Sequence, residues 1–230
     1  MLLSGGLDSA VLLLEEAAVR EAQPLYVSVG LAWEEAERMM LAQFLAAVPP
    51  ETRIRPLISL SVDMTDIYAA SHWAIQGQPP GYHTPDEDVY LPGRNVILLG
   101  KAGVFCAAAN IARLVLGTLD HNPFPDATPA FRSAMQSALS LGLAHQLSID
   151  APYARTSKAD VIRRGAALDA PLALTLSCMQ PKMPANGARH VLHCGVCSKC
   201  RERHLAFVEA GIADPTTYAD RQYVSRGPAR

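Results

Sequence analysis

The chain has 230 residues, half of them hydrophobic and 18% charged, with a formal charge of −2. This composition supplies enough apolar material for a core, excludes a disordered chain, and gives no electrostatic case for wrapping nucleic acid. A small-molecule ligand is favoured. No stretch approaches the roughly twenty uncharged apolar residues of a membrane span, and the start lacks the basic, cleavable pattern of a signal peptide, so the expected location is cytoplasmic.

Met1-Leu2-Leu3 precedes Ser4-Gly5-Gly6-Leu7-Asp8-Ser9, which opens onto the apolar run 10–18. Ser4 lies so close to Met1 that almost no room is expected for a first strand, with residues missing upstream through a start-site choice. Two glycines let the backbone turn sharply and approach a ligand, and the amides of a helix start offer donors to an anion. The spacing is neither that of a Walker P-loop nor that of a dinucleotide fold. It reads as a phosphate cradle, with a serine-capped strand-to-helix turn as the alternative.

Residues 24–30 form a short β-branched run between Pro24 and Gly30, a buried strand. Residues 33–48 place Ala36, Met39, Met40, Phe44 and Val48 at helical spacing before Pro49-Pro50 stops them, and 53–60 resumes as a strand. Strand and helix alternate as in right-handed βαβ units on a parallel sheet. Residues 71–91 are irregular, rich in Pro and aromatic residues, and end in Asp86-Glu87-Asp88. A loop of this length is either a lid over a site or a surface excursion.

Leu91-Pro92-Gly93-Arg94-Asn95 leads into an expected helix over 96–112 and a strand over 114–117. Arg94 and Asn95 at a helix start can bind phosphate or carboxylate, or serve as a cap with a surface salt bridge. Ligands sit beyond the carboxyl ends of parallel strands, so the loop 118–129, carrying Asp120, His121, Asn122, Phe124 and Asp126, should face the Ser4–Ser9 turn. A helix over 130–143 and a strand over 147–149 follow. Lys158 falls in the first turn of a further helix, where a cation opposes the dipole unless an anion holds it; a plain surface lysine is the other reading.

Cys178 and the run Cys194-Gly195-Val196-Cys197-Ser198-Lys199-Cys200 hold four of the five cysteines. Overlapping C-x-x-C steps plus one distant cysteine match a tetrahedral zinc site; a redox pair would need only two of them. His190 and His193 are possible substitute ligands, Cys106 reads as a buried small hydrophobe, and 201–210 as a helix ended by Gly211. The expected architecture is α/β, an open, mostly parallel sheet flanked by helices over 1–170, with a zinc-binding subdomain over 171–230.

The Ser4–Ser9 turn resembles the pyrophosphate loop of the ATP pyrophosphatase superfamily, whose fold is adenine nucleotide alpha hydrolase-like. The ordered set Ser4–Ser9, Leu91-Pro92-Gly93-Arg94-Asn95, Phe124-Pro125-Asp126, Ser157-Lys158, Ser177-Cys178, the 194–203 cysteine segment and Asp214-Pro215-Thr216-Thr217-Tyr218 is similar to the 7-cyano-7-deazaguanine synthase family over nearly the whole chain. That resemblance implies ATP-dependent conversion of 7-carboxy-7-deazaguanine and ammonia to the nitrile in queuosine biosynthesis. It implies that Leu3, Ser4, Gly5, Gly6, Leu7, Asp8 and Ser9 hold ATP with Mg2+. By the same resemblance Asp8, Lys158 and Arg94 are catalytic, Asn95, Asp120, Phe124 and Asp126 contact substrate, and Cys178, Cys194, Cys197 and Cys200 hold Zn2+. A homodimer is implied as well, and since no amidotransferase segment is visible in the sequence, free ammonium is the expected nitrogen source.

Two stretches depart from the family pattern. Gly30-Leu31-Ala32-Trp33-Glu34-Glu35 stands where an Asp-Tyr-Gly-Gln type stretch is usual, and Ala127-Thr128 stands where Cys-Arg is usual. The missing arginine removes a bidentate anion partner. Two other readings remain: the same ATP chemistry on another acceptor, such as a modified base, a tRNA or a protein terminus, or a non-catalytic zinc-ribbon binding module.

Overall fold

Leu25–Ser28 (β1) and Ile58–Ser61 (β2) pair in parallel, Leu25 opposite Ile58 and Val27 opposite Leu60. The crossover between them carries Glu34–Ala47 (α2), whose first turn holds three glutamates, favourable at the positive end of the helix dipole. Arg113–Val115 (β3) and Ser148–Asp150 (β4) form a second parallel pair, with Leu114 opposite Ile149. Their crossover carries Pro129–Gly142 (α5), capped by Thr128, whose side chain accepts from the Phe131 amide. The computed structural model describes residues 1–120, 122–183 and 191–224.

Met1–Leu3 joins these pairs into one sheet. The Leu2 amide donates to the Val115 carbonyl at 2.9 Å, the Leu3 amide to Leu25 O at 2.8 Å, and the Leu25 amide back to Met1 O at 2.8 Å. This agrees with the expectation of almost no room for a first strand: Leu2 makes only an isolated parallel bridge, to Leu25, yet three residues suffice to hold the centre. The strands run β2, β1, Met1–Leu3, β3, β4, and the chain winds outward from the middle in both directions. Such a reversal of strand order is where an open parallel sheet leaves a crevice.

Leu7–Val19 (α1), α2, Lys158–Ala167 (α6) and Ser198–Ala210 (α7) pack on one face, burying Leu12, Phe44, Ile162 and Phe207 in one cluster. On the other face Arg94–Ala108 (α4) buries Leu99, Ala102 and Cys106 against Leu114 and Ile149, with Phe131, Met135 and Leu139 of α5 beside them. Cys106 is thus the expected core residue. Arg113 links the layers, its guanidinium reaching Glu16 of α1 at 2.6 Å and Asp150 of β4 at 2.5 Å.

Several boundaries differ from the sequence expectations. Helix α4 begins at Arg94, two residues early, because Gly93 takes the left-handed conformation at its N-cap. Helix α7 begins at Ser198 and so includes Cys200. Residues 71–91 are more regular than expected: they contain Trp73–Gln76 (α3) and a 3-10 turn over Asp86–Val89. Trp73 stacks on Trp33 at 5.9 Å and 12°, while Val89 and Leu91 are buried. His121 and residues 184–190, with His190, lie outside the described residues. Among the described residues no helix is long and apolar enough to cross a membrane.

Candidate active site

A cavity of about 550 Å³ opens at the reversal of strand order. Ser4, Gly6, Leu7, Asp8 and Ser9 form one side of it. Gly5 adopts φ 78°, which lets the turn reverse with no side-chain penalty, and it lies behind the loop against the Glu37 carbonyl. Leu3 is buried in the core beneath. The two serines tie the turn to itself: Gly6 N–H donates to Ser4 Oγ at 3.2 Å, and Ser9 Oγ donates to Gly6 O at 3.1 Å. The N-cap of α1 is Gly6, with no side-chain cap, so the first amides of this helix are not satisfied in the way a serine-capped turn would satisfy them. That leaves a helix N-terminus at the cavity with donors suited to an anion.

A row of alternating charges crosses the cavity. Lys158 Nζ lies 3.3 Å from Asp8 Oδ2 and 2.6 Å from Glu202 Oε1, and Lys199 Nζ lies 2.6 Å from Glu202 Oε2 and 4.0 Å from Asp86. Lys158 is placed by α6, whose N-cap Ser157 accepts from the Asp160 amide; Lys199 and Glu202 come from the first turns of α7. Burial raises the Asp8 pKa above the ordinary carboxylate range, and the Lys158 ammonium opposes that rise. Burial also disfavours charge on Glu202, yet the two lysines hold its pKa at about 2. Burial disfavours the Lys158 charge too, and Asp8 and Glu202 outweigh it, so this lysine stays protonated. Asp8 Oδ1 is shielded from solvent and has no hydrogen-bond partner.

The opposite wall is built from α4 and the loop after β3. Asn95 and Asp126 bind each other: the Asn95 amide donates to Asp126 Oδ2 at 3.0 Å, and Asn95 Nδ2 donates to Asp126 O at 3.1 Å. Arg94 lines the cavity, and its buried Nε has no partner. Phe124 stacks on Tyr90 at 5.2 Å, and both face the cavity with Trp33 and Trp73, which gives it an aromatic rim. Asp120 lines the cavity through the same loop and donates its amide to Thr156 O at 3.2 Å. Thr128, standing where the family pattern has arginine, accepts from the Phe131 amide and donates to Pro125 O. It caps a helix and offers no anion contact.

Glu37 of α2 also lines the cavity, 7% exposed, and accepts a hydrogen bond from Tyr26 OH at 2.8 Å. Burial pushes its pKa up to about 7, against the pull of Arg94. Glu37, Lys199 and Glu202 escaped the sequence reading. The signal for the α7 pair was its place beside Cys200, where a turn closed by the cysteine cluster fixes side chains that would otherwise be solvated charges. For Glu37 the Glu-Glu-Ala-Glu run looks like a helix start and nothing more.

Behind this wall Cys178, Cys194, Cys197 and Cys200 bring their Sγ atoms within 4.8 Å of one another. All four are at most 2% exposed. Cys194 and Cys200 Sγ are 3.8 Å apart, close to the edge of about 3.8 Å that a tetrahedron of Zn–S bonds near 2.3 Å requires. Backbone amides point at the sulfurs, Cys194 N–H to Cys178 Sγ at 3.2 Å and Gly195 N–H to Cys200 Sγ at 3.4 Å, which suits thiolates. Gly195 has φ 84°, and a Cβ there would sit 1.9 Å from Asp220 O, so only glycine makes this turn. Four buried thiolates without a cation would repel strongly, and this cluster can hold a metal ion of the zinc type. His193 is not a ligand here, since its Nε2 accepts from the Ser177 amide at 3.2 Å.

The cysteine turn also grips the 71–91 segment. Gly81 pairs antiparallel with Cys197, Ser198 N–H donates to Pro80 O at 3.2 Å, and Arg201 Nη1 donates to Tyr82 O at 2.7 Å.

Comparison with known proteins agrees with this geometry. The sequence model described as queuosine biosynthesis protein QueC matches residues 1–211. The 7-cyano-7-deazaguanine synthase 1 of Sphingopyxis alaskensis is 31% identical over 227 residues, covering 95% of this chain and 97% of that protein. The 7-cyano-7-deazaguanine synthases of Methanoculleus marisnigri and Dechloromonas aromatica are each 31% identical, over 94% and 95% of this chain and 96% of each relative. With the cradle, the Arg94–Asn95 helix start and the four-cysteine cluster in the same order along the chain, the protein belongs to the queuosine biosynthesis protein QueC family.

Proposed function

We propose that this chain is a 7-cyano-7-deazaguanine synthase, converting 7-carboxy-7-deazaguanine and ammonia to the nitrile at the expense of ATP. The observation that carries the reading is one cavity with two unlike halves. One half has an uncapped helix N-terminus, Lys158 and a carboxylate with an orphaned oxygen, suited to polyphosphate and a dication. The other has Arg94, the Asn95–Asp126 pair and an aromatic rim, suited to a flat heterocycle bearing a carboxylate.

ATP, with Mg2+, supplies the electrophilic phosphorus that turns a carboxylate oxygen into a leaving group. Leu3 to Ser9 would hold the phosphates through their backbone, Asp8 the dication, and Lys158 the charge that develops on phosphate oxygens. Arg94 holds the substrate carboxylate in line for activation. Ammonia then displaces the activated oxygen to give the amide, and a second activation of the amide oxygen, followed by its loss with two N–H protons, gives the nitrile. Glu37, with a pKa pushed up to about 7, is poised to take a proton in these steps. Asp120, Phe124, Asn95 and Asp126 orient the heterocycle.

The four cysteines hold zinc in this reading, with a structural role, and 171–230 forms the zinc-dependent subdomain beside the ATP-binding part over 1–170. Free ammonium is the nitrogen source, and the chain works as a homodimer in the cytoplasm. Incubating zinc-loaded protein with the carboxylate, MgATP and ammonium should yield the nitrile mass. An intact, zinc-loaded protein that makes none sinks the proposal.

A further inference from the structure

The resting cavity poses a problem that the phosphate and metal roles do not solve. Lys158 is within reach of Asp8, and a lysine that neutralised Asp8 fully would compete with any dication for that carboxylate. The geometry shows a rival carboxylate. Glu202 lies 2.6 Å from Lys158 Nζ, while Asp8 lies 3.3 Å away, and Asp8 Oδ1 has no partner. Glu202 is itself fixed from two sides. Lys199 Nζ meets its other oxygen at 2.6 Å, and the backbone of α7 is anchored one turn earlier by Cys197 and Cys200. Its side chain is 24% exposed, so neither partner is lost to bulk water.

We propose that Glu202 is a positioning residue that draws Lys158 away from Asp8 and so keeps Asp8 open to a divalent cation. This rests on the reading of the Ser4–Ser9 turn as the ATP site. Opposite charges attract more strongly the closer they lie, so the 2.6 Å pair with Glu202 holds the ammonium against the 3.3 Å pair with Asp8. With the Glu202 carboxylate removed, Lys158 has one carboxylate left within reach and closes on it. The metal-held turn thereby acts on the nucleotide side of the cavity through one side chain, and the row Asp8, Lys158, Glu202, Lys199 is a balance in which the strength of each pair sets the next.

The test uses Mn2+ as probe, with the zinc-loaded full chain and α,β-methylene-ATP, and protein-bound Mn2+ read by electron paramagnetic resonance. Glu202→Gln should weaken Mn2+ binding by about tenfold or more with zinc content and melting temperature unchanged, and Glu202→Asp should restore much of it. In a Lys158→Met background Asp8 has no competitor, so adding Glu202→Gln should change Mn2+ affinity by less than about twofold. Equal weakening in both backgrounds overturns the inference, whether or not zinc is lost, because Glu202 would then act through the fold. Mn2+ binding within twofold of the unaltered chain in Glu202→Gln overturns the inference alone. Absence of nucleotide-dependent Mn2+ binding in the unaltered chain overturns the ATP reading, and this inference with it.

Discussion

Arg203 donates from Nε to Thr216 Oγ1 over 2.6 Å, and the same guanidinium reaches Thr175 Oγ1 at 2.9 Å and Leu172 O at 2.8 Å. It is fully buried and lies 5.3 Å over the Phe207 ring, yet among the described residues no carboxylate pairs with it. One charged side chain thus staples α7 to the strand-like run leading to Cys178 and to the closing Thr216 segment. Buried charge without an ion pair is tolerated here because neutral acceptors satisfy the fork donor by donor.

Arg203→Met keeps the apolar stem and removes those bonds, stranding acceptors in a dry site. The expected loss is about 3 kcal/mol, which for a chain of this size lowers the melting temperature by roughly 6 to 12 °C. Calorimetry of the zinc-loaded variant checks it, and a shift under about 2 °C would show that the bonds contribute little net stability.

Asp8→Asn should abolish turnover while zinc content and melting temperature stay as in the unaltered chain. Asparagine fits the same space and removes only the charge that a dication needs. Turnover retained within about tenfold would refute the role of Asp8.

Cys197→Ser breaks one corner of the metal cage. Zinc per chain, measured by atomic emission, should fall well below one, and the melting temperature should drop by several degrees alongside it. A full complement of metal in this variant is incompatible with a four-thiolate site.

Glu37 makes stability depend on pH in a defined direction. Its carboxyl titrates near 4.5 when unfolded and near 7 when folded, chiefly through burial, with Glu34 adding to the rise and Arg94 and Arg38 opposing it. The folded chain therefore binds the extra proton between those values, and stability contributed by the neutral form is lost as pH rises through about 7. Glu37→Gln should match the unaltered chain below pH 4.5 and exceed it by up to about 3 kcal/mol at pH 8. Denaturant titrations at both pH values give the answer, and a difference that does not grow with pH defeats it.

The helices that bury one clear stripe were legible from spacing alone: α2 falls at Glu34–Ala47, one residue inside each end of its apolar pattern. Helix α6 likewise opens at Lys158, the residue expected in its first turn, and the cysteine spacing converges as its chemistry demands. The central place of Met1–Leu3 was not legible, because three residues carry no periodicity and their role is set by neighbours far along the chain. Residues 71–91 read as loop since their stabilising partners, Trp33 and the Cys197 turn, are distant in sequence. Glu202 and Lys199 were hidden for the same reason: a charge becomes a site residue only once the cysteine turn has aimed it.

The pairing of Gly81 with Cys197 has a dynamic meaning. Residues 80–82 borrow hydrogen bonds from the turn that the cysteines enclose, and Arg201 of the same helix reaches Asp86, so this side of the cavity wall is tied to that turn. In hydrogen-exchange experiments the Ser198 amide and the tail should open as one unit, and stripping the metal should speed exchange in 80–90 as well as in 192–200. A chelator would then disturb the cavity from behind, resembling an inhibitor that never enters it.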